Sequence, residues 1–280
     1  MGAKLATTAS TPLTLIAHRG ASAEFPENTL RSYEGAMRAG AGLVECDIHL
    51  SADGEMVVIH DATLDLTTDR KGPIAKLSLK EIQQINAGYP EKFGNTFPEC
   101  RIPTLDEVVE CIRGKANLIV EIKKEAMDVG KPARIVRQLI EKLQSHRMIG
   151  HVAIVSFVWE ALAQCHALCP EIPLGALFYA WPKEGLVGMV KQAKASFCVG
   201  NKKLFTEERV PEITGAPCPV GAYTVNEPAE AITLHERGIR LIATDRIRQL
   251  PRELKAAGLR AQVDLTGEAV MNLHIQRVPR

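Results

Sequence analysis

Aromatic residues are scarce in this 280-residue chain, at 5%, with only two tryptophans. No apolar run approaches the roughly 20 residues needed to cross a bilayer, so no stable membrane insertion is expected. Neither sign of charge dominates: 34 Lys+Arg stand against 33 Asp+Glu, a net +1. That balance lacks the electrostatic footprint of a nucleic-acid binder and exerts no broad pull toward an anionic membrane. The seven cysteines (Cys46, Cys100, Cys111, Cys165, Cys169, Cys198 and Cys218) include no CxxC pair. An odd, scattered set does not read as a disulfide framework, and a reduced, cytoplasmic setting is expected. Cys165, His166 and Cys169 lie close together, but one such group is too little for a soft-metal site. Met1–Ser10 has no apolar stretch of the secretory kind, and Ala6 stands where a myristoylated Gly2 would want Ser or Thr. GxGxxG after the first apolar run and GxxxxGK[ST] are both missing, which weighs against a nucleotide-binding open sheet. What is present, 46% hydrophobic and 24% charged residues, belongs to an ordinary globular protein.

Short apolar runs alternate with amphipathic stretches along the whole chain. Strands are predicted at Leu13–His18, Leu43–Leu50, Asn117–Lys123, Val152–Phe157, Pro173–Phe178, Ser196–Gly200, Val220–Val225 and Arg240–Asp245. Each is followed by a predicted helix, at Asn28–Ala39, Leu105–Arg113, Pro132–Ser145, Trp159–Leu168, Glu184–Lys194, Thr206–Thr214, Glu227–Arg237 and Ile247–Ala257. Thr104 with Glu107, and Ser78 with Glu81, have the spacing of capping boxes. Asn226 is expected to cap the helix opened by Pro228, and Gly238 to stop it. Eight strand–helix units in tandem predict an α/β fold, the (β/α)8 barrel, over residues 13–257. One unit departs from the pattern. Asp53-Gly54 signals a hairpin returning through Met56–His60. The following residues, 61–103, are too many for a bare loop. With a short helical pattern at Leu79–Asn86, they predict a small cap on the barrel mouth. Residues 258–280 form an extension whose role the pattern does not disclose.

Barrels of this kind place their chemistry where strands end. The first strand ends in His18-Arg19-Gly20. In the second, Glu45 and Asp47 share one face because side chains alternate. In the third, Leu118, Val120 and Ile122 take one face and leave Glu121 and Lys123 on the other. Three acids converging on one barrel mouth would repel one another, and burying them unpaired is expensive. A hard divalent cation, Mg²⁺ or Ca²⁺, relieves that repulsion, since carboxylate oxygens suit it. The competing reading pairs the same acids with Arg19 and Lys123 as structural salt bridges. If Asp53 and Gly54 are the two turn residues of a regular hairpin, Ala52 faces Glu55 and Asp47 faces His60, bringing an imidazole to the acids. Two histidines, His18 and His60, beside a cation and two fixed positive charges describe a site for an anionic phosphorus centre. His49 shares the facing of Glu45 and Asp47 but lies further up the hairpin. His146, His151, His166, His235 and His274 lack such company and default to surface or helix positions.

Taken together, His18-Arg19-Gly20, Pro26-Glu27-Asn28-Thr29, Glu45-x-Asp47, Asp53-Gly54 and His60-Asp61 resemble the glycerophosphodiester phosphodiesterases. Glu121-Ile122-Lys123, Ser156-Phe157, Tyr223-Thr224-Val225-Asn226 and Thr244-Asp245 continue the likeness in order. The likeness spans roughly residues 13–250. It implies a (β/α)8 barrel with an insertion after the second strand. It also implies divalent-metal hydrolysis of small-molecule glycerophosphodiesters to glycerol 3-phosphate and an alcohol. Matched by position, Glu45, Asp47 and Glu121 would be metal ligands, His18 and His60 the acid–base pair, and Arg19 and Lys123 phosphate contacts. Tyr223 stands where the family commonly has Trp and Ala243 where it has Ile, Val or Thr; Tyr223 is thereby a candidate substrate contact. Two routes suit these residues: attack by a substrate hydroxyl through a cyclic phosphate, or direct attack by water. The alternative within the same fold is a barrel phosphodiesterase for lysophospholipids or phosphoinositides. A catalytically silent binding barrel would be expected to have lost a histidine or an acid.

Overall fold

The computed structural model describes residues 12–127 and 132–263. Eight parallel strands close on themselves: β1 (Leu13–Ala17), β2 (Leu43–Leu50), β4 (Asn117–Ile122), β5 (Val152–Ser156), β6 (Leu174–Phe178), β7 (Phe197–Asn201), β8 (Val220–Tyr223) and β9 (Leu241–Thr244). Closure is made by β1 pairing with both β9 and β2. The short β3 (Met56–Val58) runs antiparallel to β2 and completes the hairpin. The expected (β/α)8 barrel is therefore the observed architecture.

Period-two alternation sorts the strand residues into two apolar layers. Leu15, Val44, Cys46, Ile48, Leu118, Val120 and Ile122 face outward against the helices. Ile16, Leu43, Ile119, Val155, Leu177, Phe197, Val199, Leu241 and Ala243 fill the barrel interior. The helices are α1 (Leu30–Arg38), α2 (Leu79–Ile82), α3 (Pro90–Phe93), α4 (Leu105–Ile112), α5 (Pro132–Ser145), α6 (Trp159–Leu168), α7 (Gly185–Ala193), α8 (Val210–Thr214), α9 (Pro228–Glu236) and α10 (Leu250–Ala256). Both capping boxes are formed: Thr104 and Glu107 open α4, and Ser78 and Glu81 open α2. Residues 61–103 carry α2 and α3 and a small core of their own, in which Leu64, Ile74, Ile82, Ile85 and Ile102 pack on Val57 and Ile59 of the hairpin.

Several boundaries differ from the pattern. Asn28 has φ 57°, outside helical space, so α1 starts after it with the Thr29 side chain as cap. The pattern at Leu79–Asn86 is helical only to Ile82, and that at Thr206–Thr214 divides into a 3₁₀ turn at Glu207–Arg209 followed by α8. In α8 and α10 a proline sits in the first turn, where its ring is tolerated, and sets the start of the helix. Asn226 does not cap α9; Glu227 occupies that position, and Asn226 is committed elsewhere. The hairpin register is one residue off the expectation. Ile48 faces Val58 and Leu50 faces Met56, so Asp47 is not paired with His60. The cause is a three-residue turn closed by the Ser51 N–H donating to Glu55 O at 2.9 Å. Gly54 takes its left-handed position at φ 88°. Beyond α10, β10 (Ala261–Gln262) pairs with β1 below the barrel. His274 and residues 264–280 lie outside the described residues.

Candidate active site

The inward-facing residues change character as each strand rises. Above Leu43 come Glu45 and Asp47; above Ile119, Glu121 and then Lys123; above Ile16, His18. The apolar floor thus ends in a ring of titratable groups, and one cavity of about 590 Å³, open to solvent, is lined by His18, Arg19, Glu45, His60, Glu121 and Lys123. Tyr223, Phe157, Leu177 and Ala243 line it from the opposite half of the barrel. The pattern's Glu121 and Lys123 share the interior face as expected. His60 also reaches the cavity, but through the chain leaving its extended path after β3 rather than through pairing with Asp47.

Carboxylate oxygens of Glu45, Asp47 and Glu121 lie within 4.8 Å of one another, and all three residues are buried. Asp47, 1% exposed, draws most of the compensation. It accepts from Asn28 Nδ2 at 2.8 Å and faces Lys123 Nζ at 3.3 Å and Arg19 Nε at 3.4 Å. Against the cost of burial, Arg19 and Lys123 hold its carboxyl well below the usual carboxylate range. Its neighbours are less well served. Burial, then the proximity of Asp47 and Glu121, pushes Glu45 well above its ordinary value. Burial, then Asp47, pushes Glu121 up to about 7. Lys123 Nζ stands 2.9 Å from Glu121 Oε1, yet that buried oxygen receives no well-directed hydrogen bond. Three buried acids with an orphaned oxygen and only two cationic side chains are a donor set that fits a hard divalent ion.

Local backbone geometry assembles this cluster. Arg19 and Gly20 both have positive φ, 55° and 84°. A side chain at Gly20 would strike Ser32 of α1, with atoms as near as 2.4 Å, so the sharp turn after β1 requires glycine there. The turn aims the Arg19 N–H at Glu45 Oε2, 3.0 Å away. Its guanidinium is pinned by Glu27 Oε1 at 2.8 Å. Asn28 is itself oriented by the buried Tyr33 hydroxyl, which donates to Asn28 Oδ1 at 2.8 Å.

Each histidine is backed by an aspartate. His18 Nδ1 lies 2.8 Å from Asp245 Oδ1, and His60 Nδ1 2.7 Å from Asp61 Oδ1. An ionised carboxylate only accepts, so the ring hydrogen sits on Nδ1 and Nε2 is left free in both. Asp245 is held by Asn226 Nδ2 at 2.8 Å and Ser22 Oγ at 3.0 Å. Against burial, its bond to His18 keeps its carboxyl far below the ordinary value. Burial lowers the His60 imidazolium below its ordinary value, against the opposing pull of Asp47.

A model of the glycerophosphoryl diester phosphodiesterase family matches residues 18–249. The chain belongs to this family. It is 31% identical over 245 residues to a glycerophosphodiester phosphodiesterase of Bacillus subtilis, covering 82% of each chain. A glycerophosphodiester phosphodiesterase of Caldanaerobacter subterraneus is 38% identical over 164 residues, 59% of this chain and 66% of that one. Among solved structures, an Oleispira antarctica phosphodiesterase in complex with the product sn-glycerol-3-phosphate superposes with a TM-score of 0.78. It shares 30% identity and covers 86% of this chain and 96% of its own.

Within this family frame, seven of the eight sequence-derived candidates line one cavity, His18, His60, Glu45, Glu121, Arg19, Lys123 and Tyr223, and Asp47 is buried behind it against Arg19 and Lys123. The Tyr223 hydroxyl donates to Phe178 O at 3.2 Å, and its ring stands edge-on to Phe157 at 6.1 Å. It therefore offers a ring and not a hydroxyl to the cavity. Sequence reasoning assigned no role to Glu27, Asn28 or Asp245 and gave Asn226 only a helix cap, although all four lie in the motifs that carried the resemblance. His49, set aside for its position, places Nε2 3.1 Å from His60 O and so fixes the backbone that presents His60.

Proposed function

We propose that the protein hydrolyses glycerophosphodiesters to sn-glycerol 3-phosphate and an alcohol, using one divalent cation, Mg²⁺ or Ca²⁺, and the pair His18 and His60. The observation that carries this reading is the meeting of three buried carboxylates with two aspartate-backed histidines in one cavity. Glu45, Asp47 and Glu121 would hold the cation. When bound, it neutralises the acids and acts as a Lewis acid toward phosphate oxygen and the attacking hydroxyl. Arg19 and Lys123 supply fixed positive charge for the oxygens that gain negative charge as phosphorus is attacked. His18, the better anchored of the two, takes the proton from the attacking oxygen at Nε2. As the bond from phosphorus to the departing oxygen breaks, His60, having taken a proton at Nε2 from solvent, gives that proton to the departing oxygen. Its lowered pKa makes the protonated ring a stronger acid for this step. Either a glycerol hydroxyl or water satisfies the nucleophile's place, and the roles reverse if a cyclic phosphate must then be opened.

A cytoplasmic setting is supported by the seven cysteines, all free thiols. Among the described residues, no helix is long and apolar enough to cross a membrane. Among the described residues the large apolar side chains left exposed are Leu66, Leu168, Tyr179 and Val187. They lie on separate elements, which favours a small diester over a lysophospholipid. The test is cation-free protein incubated with glycerophosphocholine while Mg²⁺ or Ca²⁺ is titrated in. Release of glycerol 3-phosphate that depends on the cation is expected. Release undiminished by chelator would overturn the metal's role, and no release from any glycerophosphodiester would overturn the function.

A further inference from the structure

The loop between β1 and α1, residues 18–29, carries His18, Arg19, Glu27 and Asn28, and so most of the bracing of the site. Its own support comes from two sides. Towards the barrel, Glu24 accepts from Arg248 Nε at 2.8 Å and from Gln249 Nε2 at 2.8 Å. Towards the cap, two contacts are made by residues of the 61–103 insertion. Phe97 meets the Phe25 ring edge-on at 5.8 Å. Phe25 in turn nests on Gly35 of α1 so closely that a Cβ there would lie 2.5 Å from the ring. The second contact is Lys92, on α3, whose Nζ donates to Ser22 O at 2.7 Å. The same ammonium sits over the rings of Phe93 at 5.0 Å and Tyr89 at 5.8 Å, which fix its approach.

Ser22 is the junction. It is buried, and its hydroxyl is shared between His18 O at 2.8 Å and Asp245 Oδ1 at 3.0 Å. The following residue's N–H, on Ala23, donates to Asp245 O at 3.1 Å. Lys92 thus holds the carbonyl of Ser22, whose hydroxyl bonds both members of the His18–Asp245 pair. We propose that Lys92 is a positioning residue: through Ser22 it couples the cap to the orientation of His18. The cap, on this account, works on catalysis from behind the histidine and touches no substrate through Lys92. The inference rests on the function proposed above for His18.

Lys92→Met, Lys92→Arg, Ser22→Ala and the Lys92→Met/Ser22→Ala double variant test it. Lys92→Met should lower kcat about tenfold, the low end of the worth of one charge-assisted hydrogen bond, with KM little changed. Lys92→Arg should restore most of the loss. In the double variant the losses should fail to multiply, because both substitutions cut the same link. Wild-type kcat in Lys92→Met, or losses that multiply, would overturn the proposal. A second readout is independent of turnover: the ¹⁵N shifts of the His18 ring should move in Lys92→Met and return in Lys92→Arg. If the wild-type chain releases no glycerol 3-phosphate while the ring shifts still respond, the functional reading fails and the coupling stands. If turnover is normal and the shifts are unmoved, the coupling fails alone.

Discussion

Glu121→Gln should raise the stability of the cation-free protein at pH 8 and lose the response to cation that the wild type shows. Burial, followed by the neighbouring Asp47, moves the Glu121 carboxyl from 4.5 to about 7 in the folded chain. Between those values the folded state keeps a proton that the unfolded state has released. The stability tied to that proton is complete below the unfolded value and is lost as pH rises through about 7. A carboxyl held that far above its unfolded value corresponds to about 3 kcal/mol of destabilisation once ionised, an upper bound because Lys123 can move to meet it. Gln has no proton to lose. For a domain of this size, about 3 kcal/mol is roughly 5–10 °C in Tm. His60 and His49 titrate with the opposite sign, since burial lowers both and their contribution is lost as pH falls. They are common to the two proteins and cancel in the comparison. Thermal unfolding by calorimetry in chelator, at pH 5 to 8, should therefore give near-equal melting at pH 5 and a variant that melts higher at pH 8. With Mg²⁺ or Ca²⁺ at a hundredfold excess over its Kd, the wild type should gain about 2.7 kcal/mol and the variant far less, closing most of the gap. A variant that melts below the wild type at pH 8 in chelator, or an equal gain from cation in both proteins, would refute the reasoning.

Asp245→Asn leaves the shape of the His18 pocket but replaces an acceptor with an amide that can also donate, so the ring is no longer held with its hydrogen on Nδ1. The expected loss in kcat is about a hundredfold or more, with the cation's effect on Tm intact; near-normal turnover would remove His18 as base. Lys123→Met should lower kcat/KM by about two orders of magnitude without weakening cation binding, measured by calorimetric titration, because Lys123 competes with the cation for oxygens of Asp47 and Glu121.

The barrel and the placement of its inward-facing groups are legible for the same reason: strand alternation is a local rule. The parity that puts Leu118, Val120 and Ile122 on the helix side puts Glu121 and Lys123 inside whatever the rest of the chain does. Where the sequence was ambiguous, a residue had two physically sound uses and the choice was made by something distant. Asp53-Gly54 suits a two-residue turn and also a three-residue turn with glycine last, and the two differ by one step in every cross-strand pair. Asn226 is a sound helix cap beside Pro228. It is instead taken by Asp245, 19 residues on, whose Oδ2 it meets at 2.8 Å and whose N–H it accepts at 2.9 Å. Nothing periodic announces β10, two residues long, or Lys92 on a four-residue helix reaching Ser22, 70 residues away.

The three carboxylates are chemically similar in sequence and unequal in the fold, and the inequality bears on how the site takes up its ion. Asp47 collects Asn28, Arg19 and Lys123, so it stays ionised without help. Glu45 and Glu121 share what remains and are pushed toward protonation by burial and then by the negative charge of Asp47. A neutral, hydrogen-bonded acid is tolerable in a buried site where an unpaired anion is not. Without a cation the cluster is stabilised by protons on the two glutamates, that of Glu121 being lost as pH rises through about 7, with Asp47 as the fixed negative pole. A divalent ion entering must displace those protons, which makes its affinity rise with pH in the range where Glu121 titrates. The salt-bridge reading of these acids and the proposed metal site are then compatible: Arg19 and Lys123 both serve Asp47 and reach Glu45 and Glu121 by one contact each, and those less compensated glutamates are where an ion would be held.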